Sequence, residues 1–101
     1  MDALGVGLEP VNKRVSVVIP NLHSPVIGET LDSLRRQVLD LARVEVIVVG
    51  MDKYGIVHSD DLIKFVETPQ PLCAAAARNL GVARATGEII VFLDADCVVA
   101  D

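Results

Sequence analysis

Four short apolar runs punctuate the chain, and the stretches between them alternate between helical periodicity and polar turn chemistry. The run VSVVIP, Val15–Pro20, is β-branched and closed by proline, and it predicts a buried strand. NLHSP then reads as a loop, with Ser24 as helix N-cap and Pro25 in the first helical position. Leu31, Leu34, Val38 and Leu41 recur at helical spacing, while Glu29, Asp32, Arg35 and Arg36 lie elsewhere on the wheel. VEVIVVG, Val44–Gly50, predicts a second buried strand. MDKYGIVHSDD reads as a polar loop, with Asp60-Asp61 as a solvated turn or cap. LIKFVE, Leu62–Glu67, predicts a weaker third strand, broken by Pro69 and Pro71. LCAAAARNLGVARA predicts a helix with a close-packing face at Ala74–Ala77, ended by Thr86-Gly87 with the glycine at the C′ position. EIIVFLD, Glu88–Asp94, predicts the fourth strand.

The order β-α-β-loop-β-α-β predicts an α/β fold: a Rossmann-like parallel sheet of about four strands with flanking helices, joined by right-handed crossovers. Ligands bind such sheets at the carboxyl ends of the strands. That topology alone brings Asn21–Ser24, Gly50–Lys53 and Asp94–Asp96 to one edge.

Composition narrows the picture. A length of 101 residues sets an upper bound of one domain, with residues 1–13 expected to be loosely organised and 14–101 to form the folded part. Hydrophobic residues make up 51% of the chain, which fits strands covered on both faces. The net charge is −5, the aromatics are one Tyr and two Phe, and there is no basic run, which argues against a nucleic-acid partner. No apolar run approaches the roughly 18 residues of a membrane span. MDALGVGLEP lacks the charged start and long apolar stretch of a secretory leader, so the expected location is cytoplasmic. Cys73 and Cys97 form no CxxC pair and are expected to be reduced, small hydrophobes. Gly5 and Gly7 precede the first strand and lack a third glycine, so they make no dinucleotide fingerprint.

The candidate chemistry sits in VFLDADC, Val91–Cys97. In an extended chain Asp94 and Asp96 point the same way. Two carboxylates on one face repel unless a cation or hydrogen-bond donors lie between them. The pair therefore implies either a hard metal ion or a polyhydroxyl ligand at a strand end, or else an acidic turn in solvent.

Four segments, taken in order, resemble family 2 glycosyltransferases of the GT-A fold. VSVVIPN is similar to their opening strand, LDSLRRQ to the helix after it, and VEVIVVG to the second strand. AAAARNLGVARATGEIIVFLDADC is similar to the long block that ends in the family's DXD triplet. The resemblance spans about Val15 to Cys97 and implies transfer of a sugar from a nucleotide-sugar donor to an acceptor hydroxyl. It implies that Mn²⁺ or Mg²⁺ holds the donor diphosphate, with Asp96 ligating the metal and Asp94 beside it, bonded to the ribose or donor sugar. Pro20, Asn21 and His23 would belong to the nucleobase pocket, and Arg78 would lie near the base or diphosphate. A UDP-sugar is the default donor and a GDP-sugar the alternative. The chemistry is coherent, because hard divalent cations take oxygen ligands and neutralise charge on a leaving diphosphate.

Departures from the family pattern set further expectations. Where the family carries an acidic pair after the second strand, this chain has Gly50-Met51, leaving Asp52 as a displaced base reader. Leu22 stands where an aromatic often stacks on the base. The family's catalytic base is expected beyond residue 101, so the segment is expected to be a truncated donor-binding half without turnover of its own. Its strand at Glu88–Leu93 is expected to form an apolar edge that makes a homo-oligomer through residues 88–100. The bland alternatives are a solvated helix charge for Arg78, surface loop positions for His23 and His58, and pure packing for Asn79 and Gly81. Two other activities compete. A sugar-nucleotide pyrophosphorylase would want a basic phosphate loop that NLHSPVIG does not offer. A phosphatase would carry its DxDx[TV] after the first strand.

Overall fold

The computed structural model describes residues 14–38 and 43–97. The expectations placed on residues 1–13, Leu41, Val98–Ala100 and Asp101 lie outside the described residues. The elements are β1 (Val15–Leu22), α1 (Ile27–Gln37), β2 (Val44–Met51), β3 (Ile63–Glu67), α2 (Ala74–Arg84) and β4 (Ile89–Phe92). All four strands are parallel, in the order β3-β2-β1-β4. The α/β sheet with flanking helices is thus as expected.

The sheet is covered on both faces. Val17, Ile19, Val46 and Val48 point to one side, where they meet Ile27, Leu31 and Leu34 of α1. Ile47 and Val49 point to the other and meet Ala77 of α2. Strand β2 is the centre of this arrangement, buried from Glu45 to Gly50. Helix α2 lies so close to the sheet that a Cβ on Gly81 would sit 2.4 Å from a methyl of Val18. Gly81 is therefore a packing residue, as its bland reading had it.

The chain winds from β1 outward to β2 and β3, and then α2 carries it back across to β4 on the far side of β1. The winding direction therefore reverses at β1. In open α/β sheets the crevice outside the strand ends at such a reversal is the ligand site.

Four local expectations are corrected. Strand β1 runs on through Asn21 and Leu22, which pair with Gly50 and Met51. Ser24 does not cap α1, which begins after Val26 without a side-chain cap. Its hydroxyl is drawn instead to the carbonyl of Ala95 at 3.2 Å, and it accepts the Val26 N–H at 3.3 Å. Gly87 is not a left-handed helix end. It is glycine because a Cβ there would come within 2.7 Å of the Ser16 backbone nitrogen. Strand β4 stops at Phe92, so the aspartates lie past its end, in a turn closed by the Cys97 N–H on the Asp94 carbonyl at 3.2 Å. They meet through that turn and not through strand alternation.

Candidate donor site

At the reversal point the β1–α1 loop meets the turn after β4. The Ala95 carbonyl between the two aspartates accepts from Ser24 Oγ at 3.2 Å and from Thr30 Oγ1 at 3.0 Å. Thr30 is wholly buried on the core side of α1. Burying a hydroxyl is costly unless it is bonded, so Thr30 gains most by holding this one carbonyl. Two hydroxyls and the Asp94–Cys97 bond together fix the backbone of the acidic turn. Sequence reasoning missed Thr30, although a threonine among leucines on a buried helix face was a usable signal.

The turn gathers ligand atoms. One carboxylate oxygen from each of Asp94 and Asp96 and the Cys97 sulfur all lie within 4.8 Å of one another. Both aspartates are exposed. Arg78 reaches over from α2, its guanidinium 3.6 Å from Asp94 and 5.9 Å from the centre of the Phe92 ring. The helix charge is therefore tied to the acidic turn. It supplies one positive group where two negative ones crowd together. The structure thus brings Asp94, Asp96 and Arg78 together, with Cys97 as an addition that the sequence reading left as a small hydrophobe.

A cleft of about 310 Å³ opens between β1 and the start of α2. Pro20, Asn21 and Leu22 form one wall, and Leu72, Cys73, Ala74 and Ala77 form the other. Asn21 is itself buried. Its Nδ2 donates to the Met51 carbonyl at 3.0 Å and its Oδ1 accepts from Ser24 N–H at 3.3 Å. Its side chain therefore shapes the loops around the cleft. The α2 wall was not anticipated from the sequence.

Two expected site residues sit apart from the cleft lining. His23 adopts a left-handed conformation (φ 56°), and its Nδ1 accepts the Lys53 N–H at 2.9 Å, joining the β1 and β2 loops. Asp52 accepts the Val57 N–H at 2.7 Å and so closes its own loop. Its Oδ1 is buried and has no partner among the described residues. A buried acceptor left open in this way calls for a water or a ligand donor.

Gly50 explains why no carboxylate stands at the family's usual place. Its φ is +140°, and a Cβ on it would lie 1.9 Å from the Asn21 carbonyl oxygen. No L side chain fits there.

Comparison with known proteins decides the family. The family "Glycosyl transferase family 2" matches residues 16–101. The chain belongs to glycosyltransferase family 2. The pre-mycofactocin glycosyltransferase of Mycobacterium tuberculosis, in strains H37Rv and CDC 1551, is 36% identical over 93 residues. That match takes in 86% of this chain but 18% of the relative, so the chain spans under a fifth of its length. Among solved structures, the mannosyltransferase PcManGT of Pyrobaculum calidifontis, in complex with GDP-Man and Mn²⁺, superposes with a TM-score of 0.72 at 30% identity. It is matched over 89% of this chain and 29% of its own. S. aureus TarS, residues 1–349, gives a TM-score of 0.68 at 25% identity over 84% of this chain and 28% of its own. That membership sets the chain apart from the pyrophosphorylase and phosphatase families weighed as alternatives. Among the described residues no helix is long and apolar enough to cross a membrane.

Proposed function

We propose that this segment binds the nucleoside-diphosphate-sugar donor of a glycosyltransferase that moves a sugar to an acceptor hydroxyl. The observation that carries the reading is the Asp94–Cys97 turn, locked onto α1 by Ser24 and Thr30 at the sheet's reversal point. The donor set suits a divalent cation, since two exposed carboxylates within 4.8 Å of each other supply oxygen ligands and negative charge. Asp96 holds the metal, Mn²⁺ or Mg²⁺, and Asp94 divides itself between the metal region and Arg78. When bound, the metal neutralises charge on the donor diphosphate and on the departing nucleotide. The Mn²⁺ and GDP-Man bound by PcManGT support this assignment.

The cleft next to β1 takes the base, with Pro20, Asn21 and Leu22 along one wall. His23 keeps the β1 loop in register with the β2 loop. Arg78 offers its guanidinium to phosphate oxygens as it does to Asp94. Asp52, two residues past Gly50, stands in as base reader for the carboxylate that Gly50 excludes, and its loop must open to bring the buried Oδ1 to the base, since it lies outside the cleft lining. Uridine is the donor nucleoside by family default, and the GDP-Man of PcManGT supports guanosine as the alternative.

Calorimetric titration of UDP and GDP, with and without Mn²⁺, tests the reading. Asp96→Ala is expected to abolish metal-dependent binding, and Asp94→Ala to weaken it less. Wild-type binding by both variants would overturn the metal assignment. Asp52→Asn is expected to blunt discrimination between UDP and GDP; selectivity that survives it would remove Asp52 from base recognition.

A further inference from the structure

The turn after β2 hides the group that base reading needs. Asp52 Oδ1 is buried with no partner among the described residues, while Oδ2 accepts the Val57 N–H at 2.7 Å. A buried acceptor is rarely left open, because bonding it offsets the cost of taking it out of water. Two bonds close the turn on itself, the Val57 N–H on the carboxylate and the Gly55 N–H on the Asp52 carbonyl at 3.1 Å. A third ties it to the β1–α1 loop, where His23 Nδ1 accepts the Lys53 N–H at 2.9 Å. His23 can accept there only as a neutral imidazole with its proton on Nε2. It does so from a left-handed backbone, φ 56°, with its own N–H on the Met51 carbonyl at 2.9 Å. Such strain at a non-glycine residue persists only where surrounding bonds impose it. The tip of the turn is unpacked: Tyr54 is exposed, and Gly55, φ 65°, has open space where a Cβ would stand. Beyond it Ile56 packs on the core and Val57 is buried. The tip therefore lies between two anchored ends and can move without disturbing the core.

We propose that His23 is a latch: it holds the Asp52–Gly55 turn shut in the absence of nucleotide, and the donor's base draws Asp52 out as the Lys53 N–H leaves Nδ1. The inference rests on the donor-binding reading above and adds to it how the base reader is gated. The exchange is one of hydrogen bonds alone, in which Oδ1 gains an N–H of the base while the turn gives up its tie to His23. His23 is then a positioning residue acting through Asp52, and not a wall of the base pocket. The two roles differ in sign. When only the open fraction of molecules can bind, apparent affinity is lowered by that fraction, so removing the latch tightens nucleotide binding. Removing a residue that touches the base would weaken it. Inorganic pyrophosphate carries no base, so its binding with a metal does not depend on the latch.

The full chain is titrated with UDP, GDP and inorganic pyrophosphate in the presence of Mn²⁺. His23→Gly removes the acceptor and suits the left-handed backbone, while His23→Asn suits that backbone and offers a side-chain carbonyl in its place. The expected result is that His23→Gly binds the preferred nucleotide about threefold to tenfold more tightly than wild type, with pyrophosphate unchanged. His23→Asn returns affinity toward the wild-type value, and the gain is absent when Asp52→Ala is already present. Amide exchange in the wild-type chain, followed by NMR, needs no variant. The Lys53 and Val57 amides are protected without nucleotide and exchange about tenfold faster once UDP or GDP is bound. Weaker nucleotide binding by His23→Gly with pyrophosphate unchanged would place His23 against the base and overturn the latch, leaving the donor reading intact. Nucleotide binding that leaves both amides protected would overturn it in the same way. If wild type binds neither nucleotide nor pyrophosphate with Mn²⁺, both fall.

Discussion

A single missing Cβ governs how this chain departs from its family. At Gly50 the backbone of β2 passes so close to Asn21 that any side chain would collide with a carbonyl oxygen, at a φ of +140° that L residues rarely adopt. Gly50→Ala is expected to cost more than about 2 kcal/mol through strain and collision together. Gly50→Asp, the substitution that would imitate the family, is expected to lose stability just as much and to gain no base selectivity. Urea unfolding of both variants, with UDP and GDP titrations on whatever remains folded, checks this. The sequence showed that the acidic pair was missing at this place, but not why, because the cause is a contact between residues 29 apart. The same limit applies to Ser24. Its position before a proline satisfies every local rule for an N-cap. What overrides them is the Ala95 carbonyl, 71 residues away. Asp94 and Asp96 were legible as a pair, since both residue type and spacing are local.

Between elements, the least expected feature lies at the amino ends of the strands, opposite the candidate site. Glu45 is fully buried in β2, yet it is charged. Its carboxylate meets the Lys64 ammonium of β3 and the Ser16 hydroxyl of β1. It also accepts the N–H and hydroxyl of Thr86, between α2 and β4. Three segments are thus pinned to one side chain of β2. Burial alone would raise its pKa, but Lys64, Ser16 and Thr86 outweigh this and hold it at about 2, against an ordinary 4.5. A depressed carboxylate pKa stabilises the fold above the unfolded value, and that stability is lost as pH falls through the folded one. Stability should therefore drop between pH 4.5 and about 2, by up to about 3 kcal/mol, less what solvent screening of the half-exposed lysine removes. Asp60 adds to the same acid transition, because the Ile63 N–H and Arg35 lower its pKa too. Glu45→Gln should be less stable at pH 7 and distinctly less sensitive to acid, measured by denaturant unfolding across that window. A charge inside VEVIVVG was a visible sign that a buried partner must exist. Which partners it has depends on parallel register, which no local pattern encodes.

For the whole molecule, element order and helix faces followed from periodicity, because each apolar stripe has one sheet face to cover. Strand order did not follow from sequence pattern. It emerges only once β4 is seen on the far side of β1 from β2. That placement makes β4 an edge of the described sheet, with Ile89 45% exposed, Val91 41% and Phe92 49%. Glu88 and Arg14 pair at one end of it, 3.5 Å apart, and no lysine or proline interrupts Ile89–Phe92. An apolar edge without such guards offers its open N–H and C=O groups to another strand. In a preparation of these 101 residues, the expected occupant is β4 of a second copy, related by a two-fold axis. Sedimentation at micromolar concentration should show a reversible dimer. Val91→Lys places a charge in mid-strand and should shift the equilibrium to monomer while leaving the secondary structure by circular dichroism unchanged. Because the strand ends next to the acidic turn, association at β4 also competes with cation access there, so divalent cations should favour the monomer. A concentration-independent monomer, or a dimer insensitive to Val91→Lys, would show that the exposed edge is not what brings two chains together.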